Sequence, residues 1–300
     1  MNGFFQPTDV VRDRLYCDIR SAPNRYFRKA QRLTERMWAS CAPFIDQNAL
    51  ERAKNDDFYA VWWELYVAYA LCCAGVSLVP RKERAPRVGR GRPDLLTANP
   101  RIWIEAVMPH AGSGPDALSE PPVGKVFSVP TEAYVLRLRT AMQEKVSKFE
   151  QYLNDGTINP GDATIIAVSG ARLPFRFNEQ PIPSIVRAVC AVGSVVLEID
   201  LATRKRLGAS VEFRDHVLKK SSARVPTDLF LQKESAHVSA VLYSASDCVN
   251  HPRNLGSDFI LVHNPNAIVP IPESWLPVGE QYWIEDHVLR RARVAVARTE

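Results

Sequence analysis

Residues 92–107 have the sequence RPDLLTANPRIWIEAV. Two apolar runs flank a turn-forming ANP segment, which is typical of two short strands joined by a tight turn. Each run carries one carboxylate, Asp94 at the start of the first and Glu105 near the end of the second. Because carboxylates are rare in buried strands, this pair calls for a functional explanation.

The second of these strands alternates its side chains between two faces. One face would be wholly apolar, whereas the other would carry Trp103, Glu105 and Val107. A turn through residues 98–100 would fold the two strands side by side, so that Asp94 and Glu105 converge. Converging carboxylates suit Mg²⁺ or Mn²⁺, which prefer oxygen ligands. The stretch therefore predicts a metal site at a sheet edge.

Helical patterns lie on both sides of this strand pair. Residues 56–74, DDFYAVWWELYVAYALCCA, begin with acidic residues and end before a glycine, which predicts a mostly buried helix. Glu64 lies on an apolar face of that helix, so its carboxylate needs a cation or an arginine. The later helix, predicted from about residue 132 to 153, has an apolar stripe with Lys145 in its middle. Lys145 either extends to the surface or faces a negative group.

The order of predicted elements indicates the fold class. A helix, a strand at residues 76–80, the strand pair, a helix and a strand at 163–169 predict an α/β fold with a mixed central sheet flanked by helices. We expect an N-terminal helical arm of two helices over residues 1–50 and a core over 51–170. Residues 171–300 contain further β-type runs and would continue the sheet or form a small α/β subdomain.

Composition excludes several classes of protein. The chain has 300 residues, is 46% hydrophobic and carries a net charge of +5, which describes a globular protein with a mild preference for polyanionic partners. Its six cysteines form no CxxC pair, so we expect reduced, buried thiols and no disulfide framework. No leader pattern or long apolar run is present, which predicts a cytoplasmic protein without a membrane partner.

Three features together resemble the PD-(D/E)xK nuclease superfamily over roughly residues 51–170. They are Glu64 on the first core helix, the PD of Pro93 and Asp94, and the IEAV of residues 104–107. The resemblance implies a restriction-endonuclease-like core of order αβββαβ. It also implies that Asp94 and Glu105 are metal ligands and that Glu64 is an auxiliary acid.

The chain departs from the superfamily motif at Val107, where the motif has a lysine. Some members of the superfamily carry the basic residue on the following helix. By that resemblance Lys145 takes the place of the motif lysine and completes the catalytic set.

The implied activity is that of a Mg²⁺-dependent or Mn²⁺-dependent nuclease, with DNA favoured over RNA. Water activated by the metal would attack the phosphodiester, and Lys145 would stabilise the transition state. The exposed loop at residues 81–92, RKERAPRVGRGR, precedes Asp94 and would hold backbone phosphates. The residues expected to contact nucleic acid are Arg81, Lys82, Arg84, Arg87, Arg90, Arg92 and Arg137.

Two other functions fit the same residues. Val107 also suits a non-catalytic nucleic-acid-binding or protein-interaction module on a decayed nuclease fold. A third alternative is an unrelated α/β protein in which the acids are structural. The part played by residues 171–300 stays open among target choice, homodimer formation and binding of a second partner.

Overall fold

Helices form the first part of the chain. In this computed structural model, which describes residues 3–7, 10–55, 57–84, 91–176 and 181–294, three helices precede a long buried one. They are α1 (Arg14–Ser21), α2 (Arg25–Cys41), α3 (Ala49–Asn55) and the buried α4 (Phe58–Cys73). Asp57 caps α4, because its side chain accepts a hydrogen bond from the backbone N–H of Ala60 at 3.1 Å. Two helices were predicted before α4, and the described chain has a third because α3 is separate.

Strands and two further helices follow. In chain order they are β1 (Leu95–Leu96), β2 (Ile102–Val107), α5 (Thr131–Asn154), β3 (Ala163–Ser169), α6 (Ser184–Val189), β4 (Val192–Ile199), β5 (Arg206–Phe213), β6 (His216–Leu218), β7 (Arg224–Pro226), β8 (Ala240–Ser244), β9 (Ile260–His263), β10 (Glu280–Glu285) and β11 (Val288–Arg293). The predicted helix ending near residue 153 and the predicted strand at 163–169 are both confirmed.

Seven of these strands form one sheet, in the order β1-β2-β3-β8-β9-β10-β11. Strands β2, β3 and β8 are parallel, β9 and β10 are parallel to each other, and the remaining pairs are antiparallel. The α/β class with a mixed central sheet is therefore confirmed. Strands β8 to β11 belong to the same sheet as β2, whereas β4-β5 and β6-β7 form two separate hairpins.

The sheet separates two apolar cores. Ile102 and Ile104 of β2 pack with α4 on one side, and Trp103 packs with α5 on the other. This is the alternation that the sequence of β2 predicts. Trp63 ties α4 to the sheet by donating its indole N–H to the carbonyl oxygen of Ala167 at 3.0 Å. Helix α4 and β2 are therefore fixed relative to each other.

Two local expectations were wrong, and one strand of the predicted pair is very short. Residues 76–80 form one isolated bridge, Leu78 with Thr97, and no strand; Pro80 lacks the N–H that would continue the ladder. The first strand of the pair is only two residues long. Cys73, expected to be buried, is exposed at the end of α4, although the six cysteines are free thiols as predicted.

Among the described helices, none combines the length and the apolar character that a membrane span requires.

Candidate functional site

The two carboxylates of the opening stretch meet at the β1 edge of the sheet. Leu95 of β1 pairs with Ile104 of β2, and extending that register by one residue places Asp94 beside Glu105. The backbone N–H of Ala106 donates to Oδ2 of Asp94 at 2.7 Å, which fixes that side chain against β2. The structure thus brings Asp94 and Glu105 together as the sequence predicts.

Glu105 is the most enclosed member of the site, with 2% of its surface exposed. Its Oε1 accepts hydrogen bonds from the Nζ atoms of Lys145 and Lys148 of α5, both at 2.7 Å. Its Oε2 is buried and has no hydrogen-bond partner among the described residues. Lys145 therefore faces a negative group, and one oxygen of that group is still available.

Lys148 is a site residue that the sequence analysis missed. It lies one turn after Lys145 on the same helix face, so the i,i+3 spacing of the two lysines was the available signal. Burial alone would lower the pKa of Lys148, but the charge and hydrogen bond of Glu105 raise it above the ordinary lysine value. The ammonium also lies 6.0 Å from the ring centroid of Tyr152. Lys148 is therefore a permanent cation at neutral pH.

Glu64 approaches the same edge from α4 and has its own partner. It is 6% exposed, and Nη2 of Arg52 donates to both of its carboxylate oxygens, at 2.9 and 2.8 Å. Burial raises the pKa of Glu64, and Arg52 opposes that rise. The sequence analysis required a cation at Glu64 but did not identify Arg52, because residues twelve apart on different helices share no local pattern.

Among the carboxylates of the site, Asp94 has the least positive charge nearby to balance its own negative charge. Burial raises its pKa well above the ordinary value, and the neighbouring carboxylates of Glu105 and Glu64 raise it further. The N–H of Ala106 and the charge of Lys145 act in the opposite direction. Among the described residues the salt bridges of the site go to Glu105 and Glu64, and none goes to Asp94. A cation at Asp94 would relieve this imbalance.

The donor atoms fit the divalent metal that the superfamily resemblance implies. In the part of the chain that the structure describes, Asp94 has no ion pair and the buried Oε2 of Glu105 has no partner, so two carboxylate oxygens could be supplied to one hard cation. Across the described ranges, no group of three or more His, Cys, Asp or Glu side chains is arranged to hold a metal ion. Magnesium commonly takes one or two carboxylates and completes its shell with water and substrate phosphate oxygens. Asp94 and Glu105 match that pattern.

The predicted phosphate-binding residues have different surroundings. Lys82 is exposed, Arg92 is half-buried, and Arg81 forms an ion pair with Asp46. Nη2 of Arg137 donates to the carbonyl oxygen of Asp116 at 2.6 Å, which ties α5 to the loop before it. Arg87 and Arg90 lie outside the described residues. Lys82 is therefore the member of this set most accessible to a phosphate in the described chain.

Arg84 has a structural role instead of the expected contact with nucleic acid. It is 4% exposed, and its guanidinium donates to the carbonyl oxygens of Phe44, Val79 and Asp94 at 2.6, 3.2 and 2.7 Å. These bonds hold the backbone of Asp94 against the segment that follows α4. Arg84 thus supports the site from behind and does not face a ligand.

Searches for similarity matched no family model, no curated protein and no solved structure significantly.

Proposed function

We propose that the chain is a Mg²⁺-dependent nuclease that hydrolyses phosphodiester bonds of nucleic acid, with DNA as the favoured substrate. The observation that supports this most is the convergence of Glu64, Asp94, Glu105 and Lys145 at one sheet edge. These residues come from α4, the start of β1, β2 and α5, so no single element accounts for their meeting. Such a cluster of buried, mutually perturbing charges is typical of functional sites.

In this proposal Asp94 and Glu105 hold the metal. When bound, Mg²⁺ lowers the pKa of water and neutralises charge on phosphoryl oxygens. The chain's own contribution is a fixed pair of carboxylates: the N–H of Ala106 orients Asp94, and two lysines orient Glu105. Preorganised groups of this kind need little rearrangement when charge develops in the transition state.

Lys145 supplies positive charge beside the carboxylates. Its Nζ lies 2.7 Å from Oε1 of Glu105, and its side chain is only 16% exposed, so its charge acts where water screens it weakly. Val107 takes the motif position of the lysine on β2, and Lys145 reaches Glu105 from α5, which packs on the face of β2 that carries Val107. A lysine migrated to α5 is thus consistent with the geometry.

Glu64 acts at longer range. Both of its oxygens accept from Arg52, so it is a poor direct ligand, but its charge still raises the pKa of Asp94. In this proposal Glu64 increases the attraction of Asp94 for a cation. The guanidinium of Arg52 offsets the free-energy cost of burying the carboxylate of Glu64.

The proposal is tested by incubating the purified chain with single-stranded DNA, double-stranded DNA and RNA in Mg²⁺, in Mn²⁺ or in EDTA. Cleavage that requires the metal and increases with protein concentration supports a nuclease. Cleavage that is equal in EDTA would contradict the metal mechanism, because EDTA removes the cation that this mechanism requires.

One observation favours the non-catalytic alternative. Three carboxylates and three cations, Arg52, Lys145 and Lys148, balance formally without a metal. The alternative predicts nucleic-acid binding that survives EDTA and weakens with salt, without cleavage of any substrate. Gel-shift measurements with and without EDTA, run on the same substrates as the cleavage assay, separate the two functions.

The two lysines give a matched pair of variants. We expect Lys145→Met to lower the cleavage rate constant by about 10²-fold, the typical cost of removing one positioned charge donor. Lys148→Met should mainly raise KM, because its side chain is 46% exposed and screened by water. Single-turnover kinetics of both variants measure this difference. Equal losses of the rate constant in both variants would contradict a specific role for Lys145.

A further inference from the structure

The hairpin β4-β5 exposes an unusual amount of apolar side chain. Among the described residues, exposed large apolar side chains concentrate on this hairpin and its tip: Val195, Val196, Leu197, Ile199, Leu201, Leu207, Val211 and Phe213. Leu201 is 92% exposed, Phe213 71% and Leu207 69%. From here on, the arm means residues 192–213 and not the N-terminal helices over residues 1–50.

The arm lacks the support that a two-stranded sheet normally needs. In the described chain its strands pair only with each other, and both faces carry exposed apolar residues. An isolated hairpin is at best marginally stable in water, and a third strand or a packing surface usually covers it. Eight exposed large apolar side chains on one hairpin form a surface of the kind that marks an interaction site.

The same chain carries a groove of matching chemistry. A cavity of about 550 Å³ lies between the base of the arm and the hairpin of β10 and β11. Its apolar lining includes Val192, Phe213, Ile284 and Leu289. This groove continues the apolar surface of the arm.

The extended strands of the arm hold its tip away from its own groove. The groove lining on β5 runs from Ala209 to Phe213, so the extended chain from Arg206 to Ala209 separates the tip from the near end of the groove by about 10 Å. A second copy could instead place its tip in this groove and accept this tip in its own. Such reciprocal exchange is the closed, two-fold arrangement that most homodimers adopt.

Charge supports the same pairing. The tip carries Arg204, Lys205 and Arg206 in sequence. The turn between β10 and β11, at the groove, carries Glu285 and Asp286. Opposite charges at the ends of an apolar contact favour one register of association.

We propose that the chain forms a two-fold homodimer in which each arm packs into the partner's groove between the arm base and the β10-β11 hairpin. This interface is independent of the nuclease proposal, since the arm lies outside the carboxylate site. It assigns a role to residues 192–213, which the site does not use.

The dimer is tested by sedimentation equilibrium of the full chain and of the double variant Leu201→Asp, Leu207→Asp. Both side chains are largely exposed, so the substitutions should leave the fold of the monomer intact. We expect the full chain to be a dimer and the double variant to dissociate at least about 100-fold more readily, with unchanged circular dichroism. Val10→Asp, at a site 69% exposed in the segment before α1, is the matched control and should remain a dimer.

Three results would overturn the proposal. The first is a full chain that is monomeric at 100 µM, a concentration about 100 times a micromolar dissociation constant. The second is a double variant that remains dimeric. The third is the formation of assemblies larger than the dimer as the protein concentration rises. The last result would show a head-to-tail contact that does not close. As a positive check, Arg206→Glu should weaken the dimer, and adding Glu285→Arg should restore it.

Discussion

Asp94→Asn is expected to reduce metal-dependent cleavage by about 10³-fold or more while it raises the melting temperature of the protein. The loss follows because a neutral amide is a weak metal ligand, and 10³-fold corresponds to about 4 kcal/mol of transition-state stabilisation. The gain in stability follows because burial and the carboxylates of Glu105 and Glu64 disfavour the charge of Asp94 in the folded chain. Cleavage assays in Mg²⁺ measure the loss of activity. Thermal melts at pH 8 without metal measure the gain in stability.

The pH dependence of the stability has a definite sign. The folded-state pKa of Asp94 is raised above its unfolded value, so its contribution to stability is fully present below the unfolded pKa of about 3.9. That contribution decreases as pH rises through the folded-state pKa. The stability advantage of Asp94→Asn over the natural chain should therefore grow between about pH 4 and pH 8.

Asp162→Asn is the matched control. Asp162 is buried beside β2, whereas Asp94 is half-buried, and Asp162 accepts hydrogen bonds from Trp103 at 2.9 Å and Arg101 at 3.2 Å. The Asp162→Asn substitution should lower the stability of the protein. It should leave the cleavage of nucleic acid by the folded fraction unchanged. If Asp94→Asn behaved like Asp162→Asn, Asp94 would be a structural acid.

Glu105→Gln is expected to destabilise the protein by about 3 kcal/mol, the cost of breaking a buried ion pair. The substitution leaves the positive charges of Lys145 and Lys148 without the negative charge that they share. It should abolish cleavage as well, since it removes the second metal ligand. Urea unfolding at pH 7.5 measures the stability change.

A double-mutant cycle checks the cause of that loss. Adding Lys145→Met to Glu105→Gln removes the least exposed unpaired charge, so the double variant should be more stable than Glu105→Gln alone. Cleavage should remain absent. If the two losses of stability simply added, the destabilisation would come from packing and not from the unpaired charge.

Local pattern predicted the elements that carry the site. The alternation of β2 predicted that Glu105 shares a face with Trp103, which packs toward α5, and Lys145 in the apolar stripe of α5 was predicted either to reach the surface or to face a negative group, which is Glu105. These predictions succeeded because side-chain direction repeats every two residues in a strand and about every 3.6 in a helix. Lys148 has the same helical spacing, but it was not singled out from the sequence.

Contacts between distant segments were beyond such patterns. Arg52 pairs with Glu64 because α3 and α4 pack together, and no periodicity links the two residues. Arg84 was expected at a ligand because it lies in a basic loop, yet carbonyl oxygens from two other segments surround its guanidinium. The departure of β4 and β5 from the main sheet was likewise invisible, because their apolar runs resemble those of the central strands.

The central claim is that Asp94 and Glu105 form a divalent-metal site, and Mn²⁺ binding measured by electron paramagnetic resonance tests it most directly. The measurement compares the natural chain with Asp94→Asn and Asp162→Asn at pH 7.5, without nucleic acid. We expect one saturable Mn²⁺ site per chain. Its affinity should fall at least about tenfold in Asp94→Asn and stay unchanged in Asp162→Asn. No saturable binding, or equal affinity in the natural chain and Asp94→Asn, would contradict it.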